Sequence, residues 1–541
     1  MKTYLLYQDK EWIDVKPYFD EKSIIQDLGL RILYMMAARK VNLEGGNVKS
    51  ISVPDTFIEE TMKKVMVVPL ETEEEILYRQ QILRDSLENP EFIRRLYDIS
   101  SEVLKRWDDQ GRKAKEKVGN RDPFSTLVTD INVLENFVNG LTKIKALFLE
   151  FEGKLMSRGY KELKKRLEEL FSDEMQGNMG QLLKDVSFFG ERMTVDEVTG
   201  NKLLMRPKMV MGCFLGDGFK LEGFQLESCI SEVKKYRDPK STISKVQGFI
   251  QSKTPDSVQI LDDTVIKDNA DQLEFGIVRH VMNYCSNFLF HFQSFFDHLH
   301  FQTAFYCGAV NLAEHLARFD LEYCYPKVSD KGTLRFEELK EVVMCMEQRI
   351  VPVGNTCDME EVMLLIVTGA NQGGKSTFLR SVGIAQVLMQ CGLMVTAQSF
   401  ESGIFPALFT HFTRREDSAM NSGRLDEELG RMNQIVEHLG ESSLVLLNES
   451  FATTTEKEGS VIAYDIIKAL NEAGVKVLTV THLLSFAQKM YDEAQQGQGV
   501  EFFSAQRLPD GSRTFKMIQH EPELTSFGLD LYERIVLTKQ A

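Results

Sequence analysis

The chain has no run of about twenty apolar residues, the length a bilayer-spanning helix requires, so no membrane span is expected. Its opening, MKTYLLYQDKEWIDV, meets charge after a few apolar residues. No signal-peptide core is read there, and the chain is expected in the cytoplasm. The eight cysteines (Cys213, Cys229, Cys285, Cys307, Cys324, Cys345, Cys357 and Cys391) show no CxxC spacing, which argues against both a zinc site and a disulfide framework. Proline is absent from residues 124–183 and 270–321, so nothing there obliges a helix to stop. Positive charge is short as well: 64 Lys and Arg against 80 Asp and Glu give a net charge of −16. That balance disfavours indiscriminate binding to polyanions but leaves room for a local basic stripe. Internal repeats and low-complexity segments are missing too. With 541 residues the chain exceeds the roughly 250 to 300 that one core sustains, so at least two domains are expected.

Apolar residues recur every three or four positions over 124–183, which predicts one long helix or two. Residues 270–321 predict a helix longer than ordinary globular ones, suited to an arm. Between them, glycine turns punctuate short apolar runs over 202–228, where strands or irregular connections are expected. After Pro326 the continuous apolar runs EVMLLIVTG, SLVLLNES and VKVLTVTH alternate with helical stretches, as strands buried on both faces of a parallel sheet do.

Residues 369–376, GANQGGKS, satisfy the phosphate-cradle pattern G-x-x-x-x-G-K-[ST], with an expected strand before and helix after. Gly369, Asn371, Gln372, Gly373, Gly374, Lys375, Ser376 and Thr377 are the candidate nucleotide-binding residues. Glycines let backbone N–H groups approach phosphate oxygens, and a helix N-terminus favours their charge. Lys375 is expected at the β- and γ-phosphates of ATP, and the Ser376 hydroxyl on Mg²⁺. In SLVLLNES, Asn448 stands where such a sheet usually places an aspartate for the Mg²⁺ shell, and Glu449 follows as candidate general base. Asn448 keeps an oxygen acceptor and loses the charge, so slow turnover is expected. His482 ends the next apolar run and is a third catalytic candidate beside Lys375 and Glu449.

Other motifs carry less. His291, His298 and His300 stand among phenylalanines and leucines without a ligand cluster, so no metal is assigned to them. Lys161, Lys164, Lys165, Arg166, Lys234, Lys235 and Arg237 are interleaved with acids and read first as solvated faces, second as DNA contacts.

The cradle in TGANQGGKSTFLR, the segment FTRREDSAMNSGRLDEEL, the run LNESFATTTEKEGSVIAYDII and the strand end VTH together resemble the ATPase domain of the MutS family, within the ABC-type ATPases. Upstream, ETEEEILYRQQIL, the long helix and EYCYPKV resemble that family's helical core and levers. The resemblance implies an α/β P-loop ATPase domain over 331–541, joined to a long, mainly α-helical core and lever region. That region would comprise a first helical part over 1–122, lever helices with a clamp-like or partly β insertion over 123–269, and a returning lever helix over 270–330. It also implies ATP and Mg²⁺ as ligands, a homodimer, and DNA as partner in repair or recombination.

Ser422 and Gly423 would form the signature loop that completes a partner's site, although Arg424 and Leu425 depart from the family's usual residues; Ser422 could equally be a helix N-cap. Phe57-Ile58-Glu59 and Phe148-Leu149-Glu150 lie in the wrong surroundings for the family's mismatch-sensing triplet, so no such sensing by this chain alone is expected. No Smr nuclease domain is read either. Two alternatives stand beside the hydrolysing clamp: a nucleotide-gated structural clamp, and an ABC-type ATPase acting on a protein partner.

Overall fold

The structure, a computed structural model, describes residues 3–9, 12, 15–44, 47–116, 123–186, 192–195, 202–215, 221–235, 264–413, 423–440, 442–494, 499–508 and 511–523. They gather into two units.

The first unit comprises Met1–Thr3, Arg95–Glu152 and Glu162–His300. It is built on the helix Pro123–Glu150, the helix Asp173–Val186 and parts of Pro90–Glu116, Arg158–Leu170 and Thr264–Arg318. Glycine at 140 lets these helices touch: a Cβ there would meet Val103 Cγ2 at 2.6 Å and Phe296 Cζ at 2.8 Å. Beside it the Phe137 ring stacks on Phe296 with centroids 5.5 Å apart. The strands Arg192–Val195, Lys202–Leu215 and Leu221–Lys235 form a three-stranded antiparallel sheet in sequence order.

Residues 124–183 form three helices, not one or two, because the periodicity conceals two breaks. At the first, Gly153 takes φ 79°, a conformation glycine supplies without steric cost. At the second, the Ser172 hydroxyl accepts from Met175 N at 3.2 Å and starts a new helix. Residues 1–122 carry an antiparallel hairpin, Val41–Glu44 with Asn47–Ile51, beside their helices.

The second unit comprises Tyr4–Arg94, Gly153–Lys161 and Phe301–Ala541. Its centre is a six-stranded sheet in the order Ala407–Phe412, Ser443–Asn448, Lys476–Val480, Leu364–Thr368, Val500–Arg507, Arg513–Gln519. The first five strands are parallel and the last is antiparallel. Leu364–Thr368 and Lys476–Val480 are buried at every position, which is why they are mostly apolar, with Lys476, Thr479 and Thr368 the polar exceptions. A second sheet, Lys327–Val328, Ser399–Ser402, Leu334–Leu339 and Asn355–Met359, is mixed. Lys476 joins the two sheets by donating from Nζ to Lys331 O at 2.8 Å and Thr333 O at 3.1 Å. Burial pushes its pKa down to about 7.

The N-terminal segment is stitched into this same unit by Arg79, which is fully buried with no carboxylate partner among its described bonds. Its guanidinium donates to Leu6 O at 3.3 and 3.1 Å and to Cys391 O at 3.0 Å, and lies 5.0 Å over the Tyr7 ring. Cys391 is the C-cap of the helix Lys375–Gln390, where a cation meets unpaired carbonyls and the negative end of the helix dipole.

Candidate functional site

The strand Leu364–Thr368 lies between Lys476–Val480 and Val500–Arg507, and the helix Lys375–Gln390 starts just beyond its carboxyl end. The connecting loop needs unusual backbone: Gly369 has φ 103°, Gln372 57° and Gly374 96°. A Cβ on Gly373 would stand 2.7 Å from Ala505 Cβ and 2.9 Å from Ala370 O, so the loop has no space for a larger residue there. The parallel register sets Val367, Val480, Asn448 and Phe412 side by side, bringing the ends of four strands to one edge, where open α/β sheets hold ligands.

Lys375 is buried, and its Nζ donates to Gly369 O at 2.8 Å and Ala370 O at 3.0 Å. Burial lowers its pKa, and the Glu449 carboxylate opposes that shift. Both acceptors are neutral carbonyls of its own loop, which a charged phosphate oxygen would outcompete. Ser376 Oγ donates to Asn448 Oδ1 at 2.8 Å. Glu449 has φ 54°, with its N–H held by Val480 O at 2.8 Å. His482 Nδ1 lies 3.9 Å from Glu449 Oε1, longer than a formed hydrogen bond. The His482 ring is nevertheless the main influence holding the Glu449 carboxyl below its usual range, ahead of Lys375 and against burial.

A cavity of about 480 Å³ opens on this loop, lined by Gln372, Gly373, Gly374, Lys375, Ser376, Thr377 and Glu449 together with an apolar flank. Asn448 is tied to it through Ser376, and His482 through Glu449. Gly369 shapes the loop from behind, and Asn371 is exposed at its tip; neither lines the cavity. Gly423 caps the helix Arg424–Glu437 without a side-chain bond and is likewise not in the lining. It replaces the expected N-cap at Ser422, which lies outside the described residues. Glycine leaves those helical N–H groups to another acceptor.

The apolar flank was not anticipated. Ile350 and Val351 are each 52% exposed, and with Pro352, Val353 and Phe515 they form one wall of the cavity. The signal was there: IVPVGN, an apolar stretch with a proline about twenty residues before the cradle. Such a wall suits the face of a nucleobase, while the glycine loop suits phosphates. Arg513 was also missed; its Nη1 donates to Gln372 Oε1 at 3.1 Å and adds a cation beside the loop.

The remaining motifs lie elsewhere. His300 stacks on Tyr97 with ring centroids 4.6 Å apart, and its Nδ1 stands 3.1 Å from Ser100 Oγ. Lys164 pairs with Glu152 at 2.5 Å and Lys165 with Glu169 at 3.7 Å. The side chains of Lys234, Lys235 and Arg237 fall outside the described residues. Phe57-Ile58-Glu59 sits in the helix Thr56–Met66, and Phe148-Leu149-Glu150 ends the helix Pro123–Glu150. Among the described residues, no helix is long and apolar enough to cross a membrane.

Comparison with known proteins bears on both halves. Residues 71–319 match the MutS2 N-terminal domain and residues 365–540 match MutS domain V. The chain is similar to the DNA mismatch repair protein MutS of Desulforamulus reducens, 30% identical over 204 residues, covering 36% of this chain and 23% of that protein. It is similar to the Endonuclease MutS2 of Carboxydothermus hydrogenoformans, 30% identical over 199 residues, covering 36% and 25%. The DNA mismatch repair protein MutS of Clostridium perfringens is 25% identical over 457 residues, covering 79% of this chain and 47% of that protein. The chain thus spans less than half the length of each of these relatives.

Proposed function

Because the chain belongs to the MutS family, we propose that it is an ABC-type ATPase that binds ATP in the cavity over the glycine loop and hydrolyses it slowly. Its helical arms would act as levers of a dimeric clamp on DNA, in repair or recombination and without sensing mismatches by itself. The observation that carries this reading is the convergence of Lys375, Ser376 and Glu449 on one cavity whose other wall is apolar. Lys375 would leave its loop carbonyls for the phosphates, the loop N–H groups would orient them, and the Ile350–Val353 and Phe515 wall would take the base. Glu449, a carboxylate at neutral pH with its pKa held below the usual range, would accept a proton from the attacking water. His482 would hold that pKa down.

The donor set fits Mg²⁺ in kind, two oxygens already 2.8 Å apart, and falls short in charge, both being neutral. Ser376 Oγ and Asn448 Oδ1 would hold the ion, which when bound supplies charge neutralisation at the phosphates. This shortfall favours a second reading, a clamp gated by nucleotide binding alone. Steady-state ATP hydrolysis with and without duplex and branched DNA, against Lys375→Ala, tests the choice. A slow rate altered by DNA supports the ATPase clamp; a rate equal to that of Lys375→Ala supports the gated clamp. Titration with DNA across salt concentrations tests the partner, since phosphate contacts impose a steep salt slope and a protein partner would leave none.

A further inference from the structure

Glu449 sits in a turn that costs energy. Its φ of 54° and the 64° of Phe451 both lie in the left-handed region, which residues with side chains seldom adopt. Ser450, between them, is 6% exposed. Relaxation of either residue would swing the Glu449 carboxylate away from the cradle, so the surroundings must hold the turn.

What holds it is a chain of buried polar contacts reaching two other elements. Ser450 Oγ lies 2.8 Å from His411 O and 2.7 Å from His411 Nδ1, and its one hydroxyl proton is within reach of both acceptors. His411, on the strand Ala407–Phe412, is 0% exposed, and its Nε2 donates to Glu428 O at 3.1 Å. A carbonyl only accepts, so that nitrogen carries a proton. Glu428 belongs to the helix Arg424–Glu437, and its Oε2 accepts from Thr453 Oγ1 at 2.8 Å, just past the turn. On the same helix, Arg431 Nη2 donates to Phe412 O at 2.9 Å. Thr413 Oγ1 closes the arrangement by donating to Glu449 O at 2.8 Å. Strand end, helix and strained turn are thereby one hydrogen-bonded body, and Ser450 is the point at which it grips the residue after Glu449.

We propose that Ser450 and His411 are positioning residues for Glu449, and that through His411 the helix Arg424–Glu437 sets where the Glu449 carboxylate stands. The proposal deepens the reading of Glu449 as general base and rests on it. Removing the Ser450 hydroxyl would strip His411 Nδ1 and His411 O of their shared partner inside a buried site, and the turn would relax to recover other bonds.

The test uses the full chain with Ser450→Ala, Ser450→Thr and His411→Gln, the last keeping a side-chain donor should Ser450→Ala not fold. The first readout needs no turnover. In nucleotide-free protein labelled with ¹⁵N-histidine, the His482 ring signals, assigned through His482→Ala, report the Glu449 carboxylate facing Nδ1 at 3.9 Å. Ser450→Ala and His411→Gln are expected to shift those signals, and Ser450→Thr to leave them at their wild-type positions. The second readout is steady-state hydrolysis. Here kcat is expected to fall about ten- to a hundredfold in Ser450→Ala with KM within about twofold, and to recover in Ser450→Thr. Unmoved His482 signals in a folded Ser450→Ala or His411→Gln protein overturn the proposal whatever the rates, as does a rise in KM at constant kcat. Signals that move in a chain whose wild type hydrolyses nothing uphold the positioning and sink the hydrolytic reading instead.

Discussion

Ser376 and Asn448 are bonded to each other, hydroxyl to amide oxygen, at 2.8 Å across the mouth of the cradle. An aspartate at 448 would put a full negative charge in that bond; the asparagine leaves it neutral. Asn448→Asp is therefore expected to lower the Mg²⁺ concentration for half-maximal ATP turnover and to raise kcat, each by about tenfold, the size of one lost charge-assisted contact. A Mg²⁺ titration of hydrolysis in both proteins checks this, and equal midpoints would refute it.

Lys375 is held by two loop carbonyls and kept below its usual pKa by burial. Lys375→Ala removes the charge proposed to meet the phosphates and should weaken ATP binding by at least about tenfold, on the order of 1.4 kcal/mol or more. Fluorescence titration with a labelled nucleotide measures it. Wild-type affinity in the variant would mean that the nucleotide sits elsewhere.

His482 is the largest influence lowering the pKa of Glu449. Removing that influence raises the pKa of the carboxyl, so the acid limb of the hydrolysis profile in His482→Ala should move to higher pH. The wild-type limb assigned to Glu449 should lie below the ordinary glutamate value of 4.5. A pH–rate series on both proteins gives the answer; a limb that stays put removes His482 from this role.

Lys476 makes its own prediction about stability. Its folded pKa, pushed down to about 7, is below the unfolded value of 10.5, so the unfolded chain binds more protons between those limits. Stability should rise with pH across that window, by on the order of a few kcal/mol. Lys476→Met should flatten the rise. Thermal unfolding from pH 6 to 10 reads the difference, and parallel curves for the two proteins would rule the mechanism out.

The parallel sheet was legible because strands buried on both faces read as near-continuous apolar runs, as LLIV in Leu364–Thr368 and the run through Val477, Leu478 and Val480 do. The cradle was legible because few sequences other than glycine-rich ones permit φ values such as those of Gly369 and Gly374. What stayed hidden depends on distance along the chain. Ile350 and Phe515 line one cavity although they stand 165 positions apart in the chain, and no local pattern announces it. Nothing in ETEEEILYRQQIL singles out Arg79. Its burial against Leu6 O and Cys391 O follows from packing alone. The helix breaks near Gly153 and Ser172 were concealed because one glycine and one serine barely disturb a periodic signal.

That Arg79 contact bears on how the protein can be taken apart. The helix carrying the cradle ends on a carbonyl whose donor comes from residue 79, and Leu70 N bonds Gln390 O at 2.7 Å one residue earlier. The groove beside Gly392, where a Cβ would meet Arg79 Cβ at 2.8 Å, exists to receive that side chain. A fragment beginning at residue 331 would keep every cradle residue yet leave this groove open to water and the helix end uncapped. Dissection at the obvious sequence boundary is thus expected to yield an insoluble piece, whereas adding residues 4–94 in trans should rescue it.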